Sequence, residues 1–130
     1  KLISSIFDNY ANTKIFVDTK RKDISIFKDC ILKINEKESK EIKNQSVNTK
    51  VIKTMGQKGC VFLEKSYPVK RVDVHDVCGA GDVFLAALVI RWLETKDIEK
   101  SIKKANSCAA LSVTKQGCYT LSREEYEDLI

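Results

Sequence analysis

One histidine, one proline, one methionine and one tryptophan occur in 130 residues, and these scarcities remove whole classes of function. A single histidine, His75, and five cysteines at 30, 60, 78, 108 and 118 with no Cys-x-x-Cys spacing offer no ligand set for zinc. The odd, irregular cysteine count is no disulfide framework; it reads as reduced thiols in a cytoplasmic protein. His75 and Cys78 precede a turn as accidental neighbours rather than as a base and its nucleophile. No apolar run approaches the roughly 18 residues of a membrane helix. The longest, Val83–Ile90, has the length of a buried helix. Lys1-Leu-Ile-Ser-Ser precedes no small-residue cleavage site and is not a signal peptide. Arginine and aromatic residues are too sparse to interleave on one basic face, which argues against a nucleic-acid partner. What charge there is, +5 net, comes from lysines clustered at 20–22, 28–43 and 96–104. Such a surface is solvated and mildly attractive to small anions such as nucleotides.

Hydrophobic residues make up 43% of the chain, enough for the core of one domain or part of one. Leu2, Ile3, Ile6, Phe7 and Tyr10 recur at helical spacing and predict an opening amphipathic helix. Short strands are expected at 15–17, 31–34 and 51–55, with a polar helix over 36–44. The turn Gly56-Gln57-Lys58-Gly59 leads to a fourth strand over 60–64. Val69–Val74 alternates apolar and polar residues and approaches a glycine turn, placing that turn at the C-terminal end of a strand. Beyond it, residues 83–93 are apolar nearly all round and predict a helix buried on every side. Asp97 or Thr95 caps the next helix, whose stripe is Ile98, Ile102, Ala105, Ala109 and Val113. Ser122-Arg123-Glu124-Glu125 has the spacing of a capping box and starts a last helix. Strands alternating with helices imply an α/β fold with a mostly parallel sheet.

The glycine turn, Asp76-Val77-Cys78-Gly79-Ala80-Gly81-Asp82, carries the chemistry. Glycines at a helix mouth bring backbone N–H groups against an anion, and the turn fixes an acid in the first helical turn. Phosphoryl transfer needs those two features, donors for the moving charge and a carboxylate for the nucleophile's proton. Two better-known templates fail, since Phe84 stands where a dinucleotide fingerprint needs glycine and no Gly-Lys-Ser/Thr follows. An acid in a first helical turn is often only a dipole partner. Asp82, however, is the sole charge heading an apolar helix, so it is paired or functional.

Residues 76–89 resemble the C-terminal signature of the ribokinase (PfkB) carbohydrate kinases, and three further elements follow the family's order. Asn35-Glu36-Lys37-Glu38 is similar to its Asn-x-x-Glu motif and Thr54-Met55-Gly56-Gln57-Lys58-Gly59 to its Thr-x-Gly-x-x-Gly turn. Residues 105–110 with Lys115-Gln116-Gly117 resemble its late helix and adenine loop. The resemblance implies a ribokinase-like α/β fold and transfer of the γ-phosphoryl group of ATP to a sugar or sugar-phosphate hydroxyl. Asp82 would be the base, with Gly79, Ala80 and Gly81 as the anion hole. Asn35 and Glu38 would organise Mg²⁺ and phosphates through water; by spacing alone they read rather as a helix cap and a solvated acid. Thr54, Gly56 and Gly59 would contact the nucleotide, or form an ordinary turn. Asn106 would approach the adenine, or be a polar residue at a helix edge. Asp76, the Cys78 carbonyl, Ser112 and Gly117 would hold a monovalent cation, K⁺ in several members.

Within the family the likeness is strongest to the heptose-7-phosphate kinases, because Val17-Asp18-Thr19-Lys20 is similar to their Val-Asp-Pro-Lys. Lys20 would then lie near a phosphate, or be a surface loop lysine. Departures from the pattern are Val83 after the acid, Cys78 for threonine, Thr19 for proline and Lys33-Ile34 for Thr-Pro. Residues 1–130 correspond to the family's C-terminal, nucleotide-binding part, whereas its sugar pocket and lid come from the N-terminal half. Such a piece alone is expected to be inactive. A ribokinase- or fructokinase-like specificity and a non-catalytic nucleotide-binding fragment are the competing readings. Oligomeric state, a homodimer included, is left open, and neither a membrane nor a nucleic acid is expected as partner.

Overall fold

The computed structural model describes residues 1–129, which divide into two compact units. Lys1–Met55 with Cys60–Ser66 form the first; Gly56–Gly59 with the chain from Tyr67 onward form the second.

The first unit opens on α1 (Leu2–Asn9), then β1 (Phe16–Asp18), β2 (Ile31–Asn35), α2 (Glu36–Glu41), β3 (Lys50–Thr54) and β4 (Cys60–Phe62). A further strand, β5 (Lys65–Tyr67), leads into the second unit. The sheet order is β1-β2-β3-β4-β5, with β1, β2 and β3 parallel and β4 antiparallel to β3. The parallel part is the expected one, and the hairpin makes the sheet mixed. β4 stops at Phe62 instead of reaching Glu64, because Leu63 and Glu64 both take positive φ (48° and 64°). Two consecutive residues of that kind twist a tight turn the way paired strands need. α2 is likewise shorter than expected. Ile42 turns extended to pack on the core, while Lys43 N–H and the Asn44 carbonyl pair with Lys22 and Ile24.

Ile24, Phe27, Cys30, Leu32 and Ile34 are the heart of this core, with Ile3 and Phe7 of α1 packed against it. Phe7 meets Phe27 edge-on at 6.3 Å between ring centres, a favoured aromatic geometry. β2 is buried at its first four positions, Lys33 among them, which is only 6% exposed. Its ammonium is held by Asp18 Oδ2 at 2.6 Å, from the residue paired with it across β1 and β2. Asp18→Ala leaves that charge nearly buried without its partner, so a loss of about 3 kcal/mol is expected in urea unfolding. A loss below about 0.5 kcal/mol, the worth of an exposed pair, would mean that water serves the Lys33 ammonium equally well.

In the second unit α3 (Ala80–Thr95) and α4 (Ile98–Ser112) form an antiparallel pair, followed by α5 (Arg123–Asp128). Lys96 ends α3 in the left-handed conformation and donates its N–H to the Trp92 carbonyl; Asp97 then caps α4 by accepting from Lys100 N–H. Phe84, Ala87 and Leu88 of α3 and Ile102, Ala105 and Cys108 of α4 are buried. α5 begins with the expected capping box, Ser122 and Glu125 exchanging backbone and side-chain bonds. Two expectations are corrected here. Residues 69–74 form no strand, because among the described residues no neighbouring strand takes up their backbone. α3 is not buried all round either: Ile90 and Leu93 are 46% and 60% exposed.

Candidate functional site

The glycine turn is built from the chain inward. His75 and Asp76 both donate their N–H to the carbonyl of Val113, at the end of α4, at 2.7 and 3.1 Å. Asp76 then uses both carboxylate oxygens: Oδ1 accepts from Cys78 N–H at 2.9 Å and Oδ2 from Gly117 N–H at 3.0 Å. Cys78 and Cys118 are joined by a disulfide with their Cα atoms 4.9 Å apart. This overturns the expectation of five reduced thiols; no sequence pattern pairs cysteines 40 residues apart, but the bend at Gly79 and the turn at Gly117 bring them together. Cys78 is thereby unavailable as a nucleophile for His75.

Gly79 is the N-cap of α3 at φ 72°, a conformation that carries a cost for any side chain. Ala80 N–H is already donated to the Val77 carbonyl at 3.3 Å, and Val83 N–H to the Gly79 carbonyl at 3.0 Å. Gly81 and Asp82 N–H have no acceptor among the described residues, so two donors open on the helix mouth, where the dipole favours an anion. Asp82 is the third residue of α3, exposed and with no ion pair among the described residues. Gly79, Asp82 and Cys118 share the wall of a cavity of about 670 Å³ whose apolar side includes Val83, Ile90 and Tyr126. The tyrosines of residues 119 and 126 and the cysteine at 118 were not singled out by sequence; only Cys118's place beside Gly117 pointed to them.

In the first unit, β2 and β3 end in register, Asn35 opposite Thr54. Asn35 Oδ1 accepts from Glu38 N–H and Glu38 Oε2 from Asn35 N–H, both at 2.8 Å, so the pair is a reciprocal cap of α2. Thr54 donates its hydroxyl to the Ile34 carbonyl at 3.3 Å. These three side chains thus gather at the C-terminal edge of parallel strands, the edge where such sheets take ligands. Glu38 Oε1 stays outside the cap, an oxygen donor of the kind a hydrated Mg²⁺ accepts. Lys20 is exposed beyond β1.

The remaining candidates have structural duties. A Cβ on Gly59 would lie 2.0 Å from the Tyr67 carbonyl oxygen, whereas one on Gly56 meets nothing within 4 Å. Asn106 is 6% exposed and donates Nδ2–H to that same Tyr67 carbonyl at 2.9 Å. Ser112 is buried and donates to the Ala109 carbonyl. Asp76, Cys78 and Gly117 are brought together by the Asp76 carboxylate, with Ser112 one residue before the carbonyl that anchors it. A carboxylate and main-chain oxygens are hard donors suited to an alkali cation. No cluster of three or more His, Cys, Asp or Glu side chains that could hold a metal ion occurs among the described residues.

Residues 23–125 match the pfkB family carbohydrate kinases. The bifunctional protein HldE of Campylobacter curvus is 33% identical, the match covering 89% of this chain and 30% of that protein. Two solved structures share the fold. Escherichia coli phosphofructokinase-2 in complex with potassium superposes with a TM-score of 0.81 at 14% identity, over 98% of this chain and 50% of that one. Arabidopsis thaliana ribokinase with ribose and ATP gives 0.77 at 19% identity, over 98% and 51%. The chain therefore spans about a third of the curated relative and half of the solved structures.

Proposed function

The chain belongs to the pfkB family of carbohydrate kinases, and from that we propose that it is the nucleotide-binding part of an ATP-dependent sugar kinase. The observation that carries the reading is the pairing at the mouth of α3 of an exposed carboxylate, Asp82, with the unclaimed N–H groups of Gly81 and Asp82 itself. Gly79 and Ala80 shape this hole. Ala80 N–H, given to Val77, joins it only if that long bond is exchanged for the phosphate.

Asp82 accepts the proton of the attacking sugar hydroxyl, and the N–H groups stabilise the charge on the phosphoryl oxygens. Asn35 and Glu38 would hold Mg²⁺ through water, and the metal would supply charge neutralisation on the triphosphate. Thr54, Gly56 and Gly59 would border the nucleotide, and Asn106 would act on it from its buried place behind Tyr67. Asp76, Cys78, Ser112 and Gly117 would hold a potassium-sized cation; the potassium in the phosphofructokinase-2 structure supports that reading.

For the acceptor we favour heptose 7-phosphate, on the strength of Val17-Asp18-Thr19-Lys20 and the HldE match. Lys20, exposed after β1, would meet the sugar's phosphate. The test is turnover of heptose 7-phosphate, ribose and fructose at fixed ATP by the complete polypeptide that carries this sequence. Preference for the heptose supports the reading, and preference for ribose or fructose shifts the specificity. Nucleotide binding with no turnover of any sugar would leave a non-catalytic fragment as the better account.

A further inference from the structure

Cys78 and Cys118 are both exposed, on loops, and bonded to each other, whereas Cys30, Cys60 and Cys108 are buried. Burial also pushes the Cys30 and Cys108 thiols up to about 11, which keeps them from reacting as thiolates. The disulfide adds to two other ties across one joint. The Val113 carbonyl accepts from His75 and Asp76 N–H, and the Asp76 carboxylate holds Cys78 N–H and Gly117 N–H, so the two segments stay adjacent when the sulfurs are apart. The joint borders the working surface, since Cys118 lines the same cavity as Gly79 and Asp82.

We propose that Cys78 and Cys118 form a reversible thiol–disulfide site that, when oxidised, locks the glycine turn at the mouth of α3 to the 113–118 loop. Oxidation takes one proton from each thiol and two electrons in all, delivered to a low-molecular-weight disulfide such as oxidised glutathione. A thiolate attacks that disulfide and releases one glutathione thiol. The second cysteine then displaces the other from the mixed disulfide as the Sγ–Sγ bond closes. Reduction by a dithiol runs the same exchange backwards. The bond sits where a change of mobility acts on the turn, since Cys78 adjoins Gly79, the N-cap of α3. The consequence for ATP rests on the proposed function; the thiol chemistry does not.

The chain is equilibrated across glutathione redox buffers, alkylated and mapped by mass spectrometry, with hydrogen exchange read at residues 79–83. The two cysteines are expected to lose and regain alkylation together at one midpoint, with the hydrogen-bonded turn amides of Ala80 and Val83 exchanging about tenfold more slowly in the oxidised state. Independent alkylation at every ratio, separate glutathione adducts without pairing, or equal exchange in both states would overturn the proposal. Cys118→Ser should match the reduced wild-type chain and ignore the buffer; a redox response retained in that variant also overturns it. Should that variant fail to fold, the reduced and oxidised wild-type chains alone decide. Failure to bind ATP in either state counts against the nucleotide reading, while alkylation and exchange still judge the redox site.

Discussion

Asp82→Asn, in the complete polypeptide, is expected to lower kcat by about 10²–10⁴, the usual worth of a general base, with ATP affinity unchanged or slightly improved. Asparagine keeps the shape and leaves the backbone of α3 alone, so the N–H groups of Gly81 and residue 82 stay aimed at the helix mouth. It cannot take the proton of an alcohol. Removing a negative charge beside a polyphosphate relieves repulsion, which is why binding should not suffer. Turnover and calorimetric ATP affinity separate the two effects. Unchanged turnover would remove Asp82 from the chemistry. A parallel loss of affinity and turnover would instead indicate a carboxylate that shapes the binding site.

Gly59→Ala is expected to destabilise the chain by about 3–5 kcal/mol, against about 1 kcal/mol for Gly56→Ala. Both glycines have positive φ, 86° and 56°, so both variants pay the left-handed penalty of a side chain. Only at residue 59 does the new methyl group meet backbone, 2.0 Å from the Tyr67 oxygen and 3.0 Å from Pro68 Cα. Moving that carbonyl also disturbs its bond from Asn106, whose amide is buried and would be left without its acceptor. Chemical denaturation of the two variants side by side isolates the contact from the backbone preference. Equal losses would show that φ alone requires glycine in this turn.

The elements the sequence disclosed are those whose signal is local. α1 follows from the spacing of its apolar residues, α4 from Asp97, and α5 from the reciprocal cap of Ser122 and Glu125. Asn35 and Glu38 were legible for the same reason, since their three-residue spacing brings each to the other's backbone. Alternation over 69–74 misled because period 2 describes a surface, and a strand exists only when another strand receives its hydrogen bonds. The apolar composition of α3 misled too. Composition measures what a helix can bury, and its partner α4 covers only one side.

By itself, then, the sequence determined the family, the glycine bend, the acid that follows it and most helix ends, because each is written within a few consecutive residues. Tertiary structure alone decided that Cys78 meets Cys118, that Lys33 is buried on Asp18, and that Gly59 and Asn106 converge on one carbonyl. Those contacts join residues 8 to 40 positions apart, and distances of that kind are set by how the chain packs, which no short stretch of residues records.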